Sequence, residues 1–294
     1  MKKLLFIINP NSGKKDSKNR LIDALNEFSK AGYEVSVYCT QKSGDCLNKC
    51  REHGSEYDIV VVSGGDGTIN EATNGLMICG EKKPLLGYIP AGTMNDFSWN
   101  FNLTKSFKKT SKKITSGRYS PFDVGIINGR YFNYVAGIGA FCNVSYGTNR
   151  ELKENIGDAA YLLTALAEVP NLHPIQAKIT MDNDVFDGNI AMMLIINGYR
   201  VSGIGMVEKN ENIMNDGVFD IIVVEWKDPI GLISSPILMM HPEWNDDSVV
   251  KRYQSSRIVV ETTVFIEWTI DGEKGDKTHR AEIKNIPSAL RILY

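Results

Sequence analysis

This sequence of 294 residues lacks three features, and each absence excludes a class of protein. It has no excess of basic residues, because 33 Lys and Arg are balanced by 35 Asp and Glu, and this argues against nucleic acid as a partner. No apolar run approaches the roughly 20 residues that a membrane span needs. The five cysteines are odd in number and scattered, which is typical of a reducing compartment. We therefore expect a cytoplasmic protein without structural disulfides.

Two common nucleotide-binding motifs are also missing. GxxxxGK[ST] does not occur at the glycine-bearing loops, so a P-loop protein is excluded. The stretch "GDGTIN" has Asn70 where the third glycine of GxGxxG belongs, so the Rossmann dinucleotide-binding motif is absent.

The N-terminal lysines precede an apolar run, Leu4 to Ile8. This run is too short for a signal peptide and predicts a buried first strand.

The length and the patterning predict two domains. Residues 1–122 alternate strand-like and helix-like segments, which indicates a three-layer α/β domain with a parallel sheet. Residues 123–294 are mostly strands broken by Gly, Asn and Asp turns, with one helical segment at about Arg150 to Val169. We expect this second domain to be a mostly antiparallel, β-sandwich-like domain. Whether the last strand, "ALRILY", returns to the first domain is left open.

The stretch "DIVVVSGGDGTINEATNGL", residues 58–76, joins an apolar strand to a helix through three glycines. Thr68 followed by Glu71 is a capping-box pattern and predicts a helix start near Thr68. A strand, a glycine turn and a helix N-terminus aim backbone N–H groups at an anion. Asp66 would repel phosphate, so it indicates either a cation between the two or a carboxylate acting on a substrate hydroxyl.

Three glycine-bearing loops follow predicted strands: Asn9 to Lys15, Gly64 to Thr68, and Pro90 to Phe97. Because ligands of parallel sheets bind beyond the carboxyl ends of the strands, these loops should converge on one crevice. Ser12 and Gly13 offer hydrogen-bond donors to phosphate, and Lys14, Lys15 and Arg20 offer positive charge.

The motifs "NPNSGK", "GGDGTINEATNGL", "PAGTMNDF" and a late "DGE", in that order, resemble the diacylglycerol kinase catalytic-domain family. This family includes soluble bacterial diacylglycerol kinases and related lipid kinases, together with sphingosine and ceramide kinases. GGDGT alone is shared with NAD kinases, but "NEATNGL" and "GT-x-NDF" favour the lipid kinases. The resemblance implies Mg²⁺-dependent transfer of the γ-phosphoryl group of ATP to a lipid hydroxyl. Diacylglycerol, giving phosphatidic acid, is the favoured substrate.

The resemblance also implies roles for particular residues. Glu273 corresponds to the catalytic base, and Asp66 to a carboxylate that serves catalysis by holding Mg²⁺. A second, structural Mg²⁺ is implied at "NDGVFD", with Asp216 as side-chain ligand and carbonyls near Ile213 and Val218. The implied nucleotide-binding set is Asn9, Pro10, Asn11, Ser12, Gly13, Lys14, Arg20, Thr40, Gly64, Gly65, Asp66, Gly67, Thr68, Ile69, Asn70, Glu71, Thr93 and Asp96, the last of which could equally cap a helix.

Two rival functions stay open at this point. The acceptor could be another lipid or a soluble hydroxyl compound such as NAD, because Met94 and "EKNENIMNDG" depart from the family pattern. The chain could also be a non-catalytic nucleotide- or lipid-binding regulator. The joint presence of Asp66, Thr93 and Glu273 argues against that loss of activity.

A lipid substrate and the absence of a membrane span together imply transient docking at the membrane surface. The basic cluster "FKKTSKKITSGR", residues 107–118, is interpreted by default as a solvated helix face. Contact of this cluster with anionic headgroups is the less favoured alternative. A homodimer is left open.

Overall fold

The structure is a computed structural model that describes residues 2–12, 18–139, 173–210, 212–227, 239 and 249–294. The helix predicted at about residues 150–169 lies outside the described residues. The described residues divide into two compact units, one formed by residues 1–124 and 287–294 and the other by residues 125–286. No helix in the described part of the chain is long and apolar enough to cross a bilayer.

The first unit alternates strands and helices, as the sequence predicts. Its elements are β1 (Lys2–Ile8), α1 (Lys18–Lys30), β2 (Tyr33–Cys39), α2 (Asp45–His53), β3 (Ile59–Gly64), α3 (Asp66–Met77), β4 (Leu85–Pro90), α4 (Asp96–Asn100), α5 (Phe107–Thr115) and β5 (Tyr119–Ile127), which runs on into the second unit.

The sheet of the first unit is parallel and has the strand order β2-β1-β3-β4. Beyond β4, the end of the last strand of the chain adds in parallel, with Ile292 opposite Leu86. In β1, Leu4 and Phe6 share a core with α1 and α5. The alternate residues Leu5 and Ile7 are buried as well, so the other face of the sheet is also covered.

The second unit consists largely of antiparallel strands. They are β6 (Arg130–Phe132), β7 (Val135–Gly139), β8 (Ile175–Thr180), β9 (Val185–Ile196), β10 (Arg200–Val201), β11 (Ile204–Gly205), β12 (Phe219–Glu225), β13 (Val250–Ser255), β14 (Arg257–Ile270) and β15 (Glu273–Leu293).

In this unit β13, β12, β9, β7, β14 and β15 neighbour one another in that order, and β8 pairs with β14 and β9. The dipeptide Asn128-Gly129 predicts a type I′ hairpin turn. This turn is present, with φ of 46° and 92° and with Ile127 paired to Arg130. The patterning also predicts separate strands at "SRIVVET" and "FIEWTI", and this prediction is wrong. Both belong to β14, because the β-branched residues between them continue the extended chain through a shift of register.

Candidate active site

The three glycine-bearing loops lie at one edge of the parallel sheet. Ile8 pairs with Cys39 and Ser63, and Gly64 pairs with Pro90, so β1 to β4 end at the same level. Backbone bonds extend this alignment into the loops: Asn9 N donates to Ser63 O (2.9 Å), Thr40 N to Ile8 O (2.9 Å) and Ala91 N to Gly64 O (2.7 Å). The convergence predicted from the sequence is therefore confirmed for the described parts of these loops.

Asn9 organises the first loop and ties it to the second. Its Nδ2 donates to Thr68 Oγ1 (3.2 Å), and its Oδ1 accepts from Asn11 N (3.0 Å). The Ser12 hydroxyl donates to Asn9 O (2.8 Å), which closes a tight turn. Pro10 and Asn11 are exposed, as is Arg20 in the first turn of α1, while Gly13 and Lys14 lie outside the described residues.

The second loop leads directly into α3. Gly65 precedes the helix, and its carbonyl accepts from Thr68 N (3.0 Å) and Ile69 N (3.2 Å). The helix thus begins at Asp66, two residues before the predicted start. Its first N–H groups have no acceptor within the helix, and Asp66 and Gly67 are partly exposed. This is the local geometry that binds an anion.

The predicted capping box is wrong. Glu71 does not reach back to Thr68. Its carboxylate accepts from Gly44 N (2.8 Å) and Cys46 N (3.1 Å) at the start of α2. The first N–H groups of the neighbouring helix α2 need an acceptor. Glu71 accepts from them instead of forming the capping-box hydrogen bond near Thr68. Asn70 is buried and Ile69 is fully buried, so Ile69 presents no surface to a ligand.

The second and third loops pack backbone against backbone. A Cβ added to Gly92 would lie 2.5 Å from the Cα of Gly65 and 3.0 Å from Asn95 Oδ1. A Cβ added to Gly64 would collide with the side chain of Thr68. Glycine is therefore required at residues 64 and 92 by close approach, since neither has a positive φ.

Asn95 holds the third loop, and the sequence analysis missed it. It is fully buried in the left-handed conformation, with φ of 56°. Its Oδ1 accepts from Gly92 N (2.8 Å), and its Nδ2 donates to Gly92 O (2.7 Å). Asn tolerates this backbone conformation better than most residues, and that is the signal that could have found it.

The hydroxyl of Tyr88 contacts both the second and the third loop. It donates to Gly64 O (3.1 Å) and lies 3.3 Å from Asn95 Oδ1. Burial raises the pKa of Tyr88 well above its usual value, and the negative charges of Asp66 and Asp96 raise it further. The phenol therefore stays protonated and remains a donor at neutral pH.

Two carboxylates lie close to this phosphate-binding geometry. Asp66 is half-buried and accepts from Phe97 N (3.3 Å), and Asp96 is buried at the start of α4. The negative charges of both raise the pKa of Tyr88. No cluster of three or more His, Cys, Asp or Glu ligands occurs within the described residues. One or two carboxylates together with phosphate oxygens are nevertheless what Mg²⁺ uses in nucleotide sites.

The remaining residues of the predicted nucleotide set lie at the same edge. Thr40, which follows β2, is buried with its hydroxyl 3.4 Å from Ile8 O. Thr93 is exposed, and its carbonyl accepts from Lys105 Nζ (3.0 Å).

In the second unit, Asp271 and Gly272 form the two-residue turn between β14 and β15. Their φ angles are 47° and 80°, and Ile270 pairs with Glu273, which fits a type I′ hairpin. The carboxylate of Asp271 is buried and accepts from three backbone N–H groups, those of Asn133 (2.7 Å), Tyr134 (2.9 Å) and Val135 (3.1 Å). Glu273, the candidate base, is exposed directly after this fixed turn.

The loop before β12 carries the candidate structural metal ligands. Asp216 Oδ1 accepts from Val218 N (3.1 Å), and Gly217 between them has φ of 81°. Ile213 is buried, and Val218 O accepts from Asn285 Nδ2 (3.2 Å) while keeping a second lone pair. A carboxylate with backbone carbonyls from one tight turn is an oxygen donor set that suits Mg²⁺ or Ca²⁺.

Comparisons with known proteins agree with the motifs. The sequence pattern of the diacylglycerol kinase catalytic domain matches residues 3–127, and that of the YegS C-terminal NAD kinase beta sandwich-like domain matches residues 134–294. The chain is 31% identical over 277 residues to the diacylglycerol kinase of Bacillus subtilis strain 168, covering 94% of this chain and 91% of the relative.

A diacylglycerol kinase of Staphylococcus aureus strain RF122 is 32% identical over 279 residues, covering 94% of this chain and 87% of that one. A crystal structure of a Bacillus anthracis protein assigned as a diacylglycerol kinase superposes with a TM-score of 0.85. It is 27% identical and covers all of this chain and 97% of its own. The resemblance stated from the motifs and the predicted fold class are thereby confirmed.

We expect Gly92→Ala to disrupt the site, because its Cβ would force the second and third loops apart. Overpacking of this kind typically costs about 1–3 kcal/mol of the free energy of unfolding. The melting temperature should fall. The affinity for ATP, measured by titration calorimetry, should fall as well. Gly205→Ala is the matched control, because a Cβ there has open space and its φ is not positive. Equal behaviour of the two variants would contradict the packing argument.

Proposed function

This chain belongs to the diacylglycerol kinase catalytic-domain family, and on that premise we propose that it phosphorylates the free hydroxyl of diacylglycerol to give phosphatidic acid. Membership makes it a phosphotransferase of the lipid kinase class that uses ATP and a lipid substrate. The substrate assignment rests on what the relatives are called. The single observation that supports catalysis in this chain is the phosphate-binding edge of the sheet, with Asp66 inside it.

We assign the ATP phosphates to the edge formed by the three loops. The N-terminus of α3 is a helix start of the kind that binds anions, and the first loop adds Ser12, Gly13 and Lys14. Residues 1–122 would therefore be the nucleotide-binding domain and residues 123–294 the lipid-binding domain. Arg20 is assigned to the nucleotide because of its positive charge, and Thr93 is assigned to it from the sequence resemblance.

We assign Mg²⁺ to Asp66, with Asp96 as its neighbour. Two carboxylates near bound phosphates would repel them unless a cation neutralises the charge. When bound, Mg²⁺ neutralises charge that develops on the transferred phosphoryl group. Asp66 would hold the cation through its carboxylate, and the bond to Phe97 N fixes the direction of that group.

Glu273 is assigned as the base that accepts the proton of the lipid hydroxyl. An exposed carboxylate directly after a rigid type I′ turn can be reached by a substrate and has a fixed backbone. Asp271 supports this role indirectly, because its three hydrogen bonds lock the turn. The assignment of the base itself rests on the sequence resemblance.

The acceptor is tested with radiolabelled ATP and four separate acceptors: diacylglycerol, ceramide, sphingosine and NAD. We expect label in phosphatidic acid and not in the other three products. Labelling of NAD or of another lipid would overturn the substrate assignment, and no labelling of any acceptor would support a non-catalytic protein. The homodimer left open by the sequence is not required by this proposal, and sedimentation at the assay concentration decides it.

We expect Asp66→Asn to lower kcat roughly 10²- to 10³-fold, because the variant loses the charge that binds the cation. The asparagine oxygen can still accept from Phe97 N, so the melting temperature should change little. Asp23→Asn on the exposed surface of α1 removes the same charge and should leave kcat unchanged. If the folded Asp66→Asn variant keeps the kcat of the unmodified protein, Asp66 does not hold a catalytic cation.

We expect Glu273→Gln to lower kcat by roughly 10²- to 10⁴-fold, the typical loss for a general base, with little change in ATP affinity. Glu273→Asp should lose part of that, because the shorter side chain misplaces the carboxylate. Asp276→Asn, an exposed neighbour on β15, serves as the control. If Glu273→Gln keeps its kcat, the role of base passes to Asp66.

The structural cation is tested by unfolding rather than by activity. We expect Mg²⁺ to raise the melting temperature of the unmodified protein and a chelator to lower it, because a cation that binds the folded state stabilises it. Asp216→Asn should abolish this response, whereas Asp184→Asn, on an exposed turn, should keep it. A response of Asp216→Asn equal to that of the unmodified protein means that the site is not at Asp216.

A further inference from the structure

The stretch from Phe97 to Phe122 has an unusual charge composition. It contains six Lys and Arg residues and no Asp or Glu, whereas the whole chain carries a net charge of −2. In the structure this stretch forms α4, a connecting loop and α5. We define the basic surface as Lys105, Lys108, Lys109 and Lys112 together with Trp99.

α5 is a two-faced helix. Phe107, Thr110, Ser111 and Ile114 are buried at the spacing of one helix stripe, while Lys108, Lys109 and Lys112 are exposed on the other side. Among the residues that the structure describes, no ion pair joins these three lysines to a carboxylate. Their positive charge is therefore not neutralised locally.

The basic surface is rigid and adjoins the phosphate loops. The Thr110 hydroxyl donates to Thr104 O (2.7 Å), and Lys113 Nζ donates to Asn102 O (2.9 Å), so the loop is bound to α5. Lys105 Nζ donates to Thr93 O (3.0 Å) in the third loop. A partner held by this surface would thus lie beside the nucleotide-binding edge.

An aromatic side chain accompanies the charge. Trp99 in α4 is 48% exposed, an unusual exposure for so large an apolar group. An exposed Trp and exposed lysines in the same stretch of chain are a combination that favours the interface between membrane and water, where the ring enters the headgroup region and the ammonium groups meet anionic headgroups.

We propose that the basic surface docks on an anionic lipid bilayer and so brings the phosphate loops to the membrane that holds the substrate. The proposal extends the proposed function and rests on it, because the lipid substrate is the reason for docking. Charge complementarity selects the anionic bilayer, and the exposed Trp99 favours a bilayer over a nucleic acid.

The test is vesicle flotation without ATP, so that binding is read independently of catalysis. The unmodified protein should bind vesicles of equal parts phosphatidylcholine and phosphatidylglycerol, should bind pure phosphatidylcholine far less, and should be released by salt. The variant K108Q/K109Q/K112Q should bind the anionic vesicles about 100-fold less tightly, since each lysine near such a surface contributes a factor of about 5 in affinity.

The matched control is K178Q/K277Q/K284Q, which removes three exposed lysines from strands of the second unit. It should keep vesicle binding within about 3-fold, since none of these lysines belongs to the basic surface. Equal losses in the two triple variants would overturn the proposal. Binding to duplex DNA but not to vesicles would overturn it in favour of a nucleic acid.

Tryptophan fluorescence gives a second readout. Anionic vesicles should shift the emission to shorter wavelength, and Trp99→Phe should abolish the shift; a shift that survives this change would overturn the role of Trp99. Turnover of detergent-dispersed diacylglycerol separates the two proposals. If K108Q/K109Q/K112Q keeps this turnover but loses vesicle turnover, docking is supported. If the unmodified protein binds vesicles but phosphorylates no lipid, docking stands and the proposed function fails.

Discussion

The edge of the sheet that we propose binds phosphate depends on the contact between the backbones of Gly65 and Gly92. Parallel strands deliver the loop ends to one level, but only residues without a Cβ allow the second and third loops to touch. This contact leaves the N-terminus of α3 open to solvent instead of covering it with side chains. A backbone surface of this kind suits phosphate, because its N–H donors are fixed before the ligand arrives.

Buried polar side chains fix the turns around the candidate catalytic residues. Asn95 supplies both hydrogen bonds to Gly92, and Asp271 accepts three N–H groups at the hairpin. A buried polar group left unpaired costs about 1–3 kcal/mol, so each set of bonds strongly disfavours alternative turn conformations. The residues proposed for chemistry, Asp66 and Glu273, are by contrast partly or fully exposed, as contact with substrate requires.

The first unit separates charge of opposite sign over a short length of chain. Asp66 and Asp96 place negative charge among the phosphate loops, while the lysines of the basic surface begin nine residues after Asp96. The lysines would attract an anionic bilayer, and the carboxylates would retain a divalent cation for the nucleotide. Because screening limits both effects to about 8–10 Å at physiological salt, each charge acts mainly on its own partner.

The sequence by itself determined the order of strands and helices in the first unit, the antiparallel character of the second, and the three converging loops. Glycine, apolar periodicity and turn residues act locally, so their signals can be read without knowledge of distant contacts. Only the tertiary structure decided the roles of Glu71, Tyr88 and Asp271. Each bonds to backbone that it reaches through the packing of loops, helices or strands, as when Asp271 meets residues more than 130 positions earlier in the chain. Such pairing is set by which buried N–H and C=O groups remain to be satisfied after the elements pack, and no local pattern in the sequence records it.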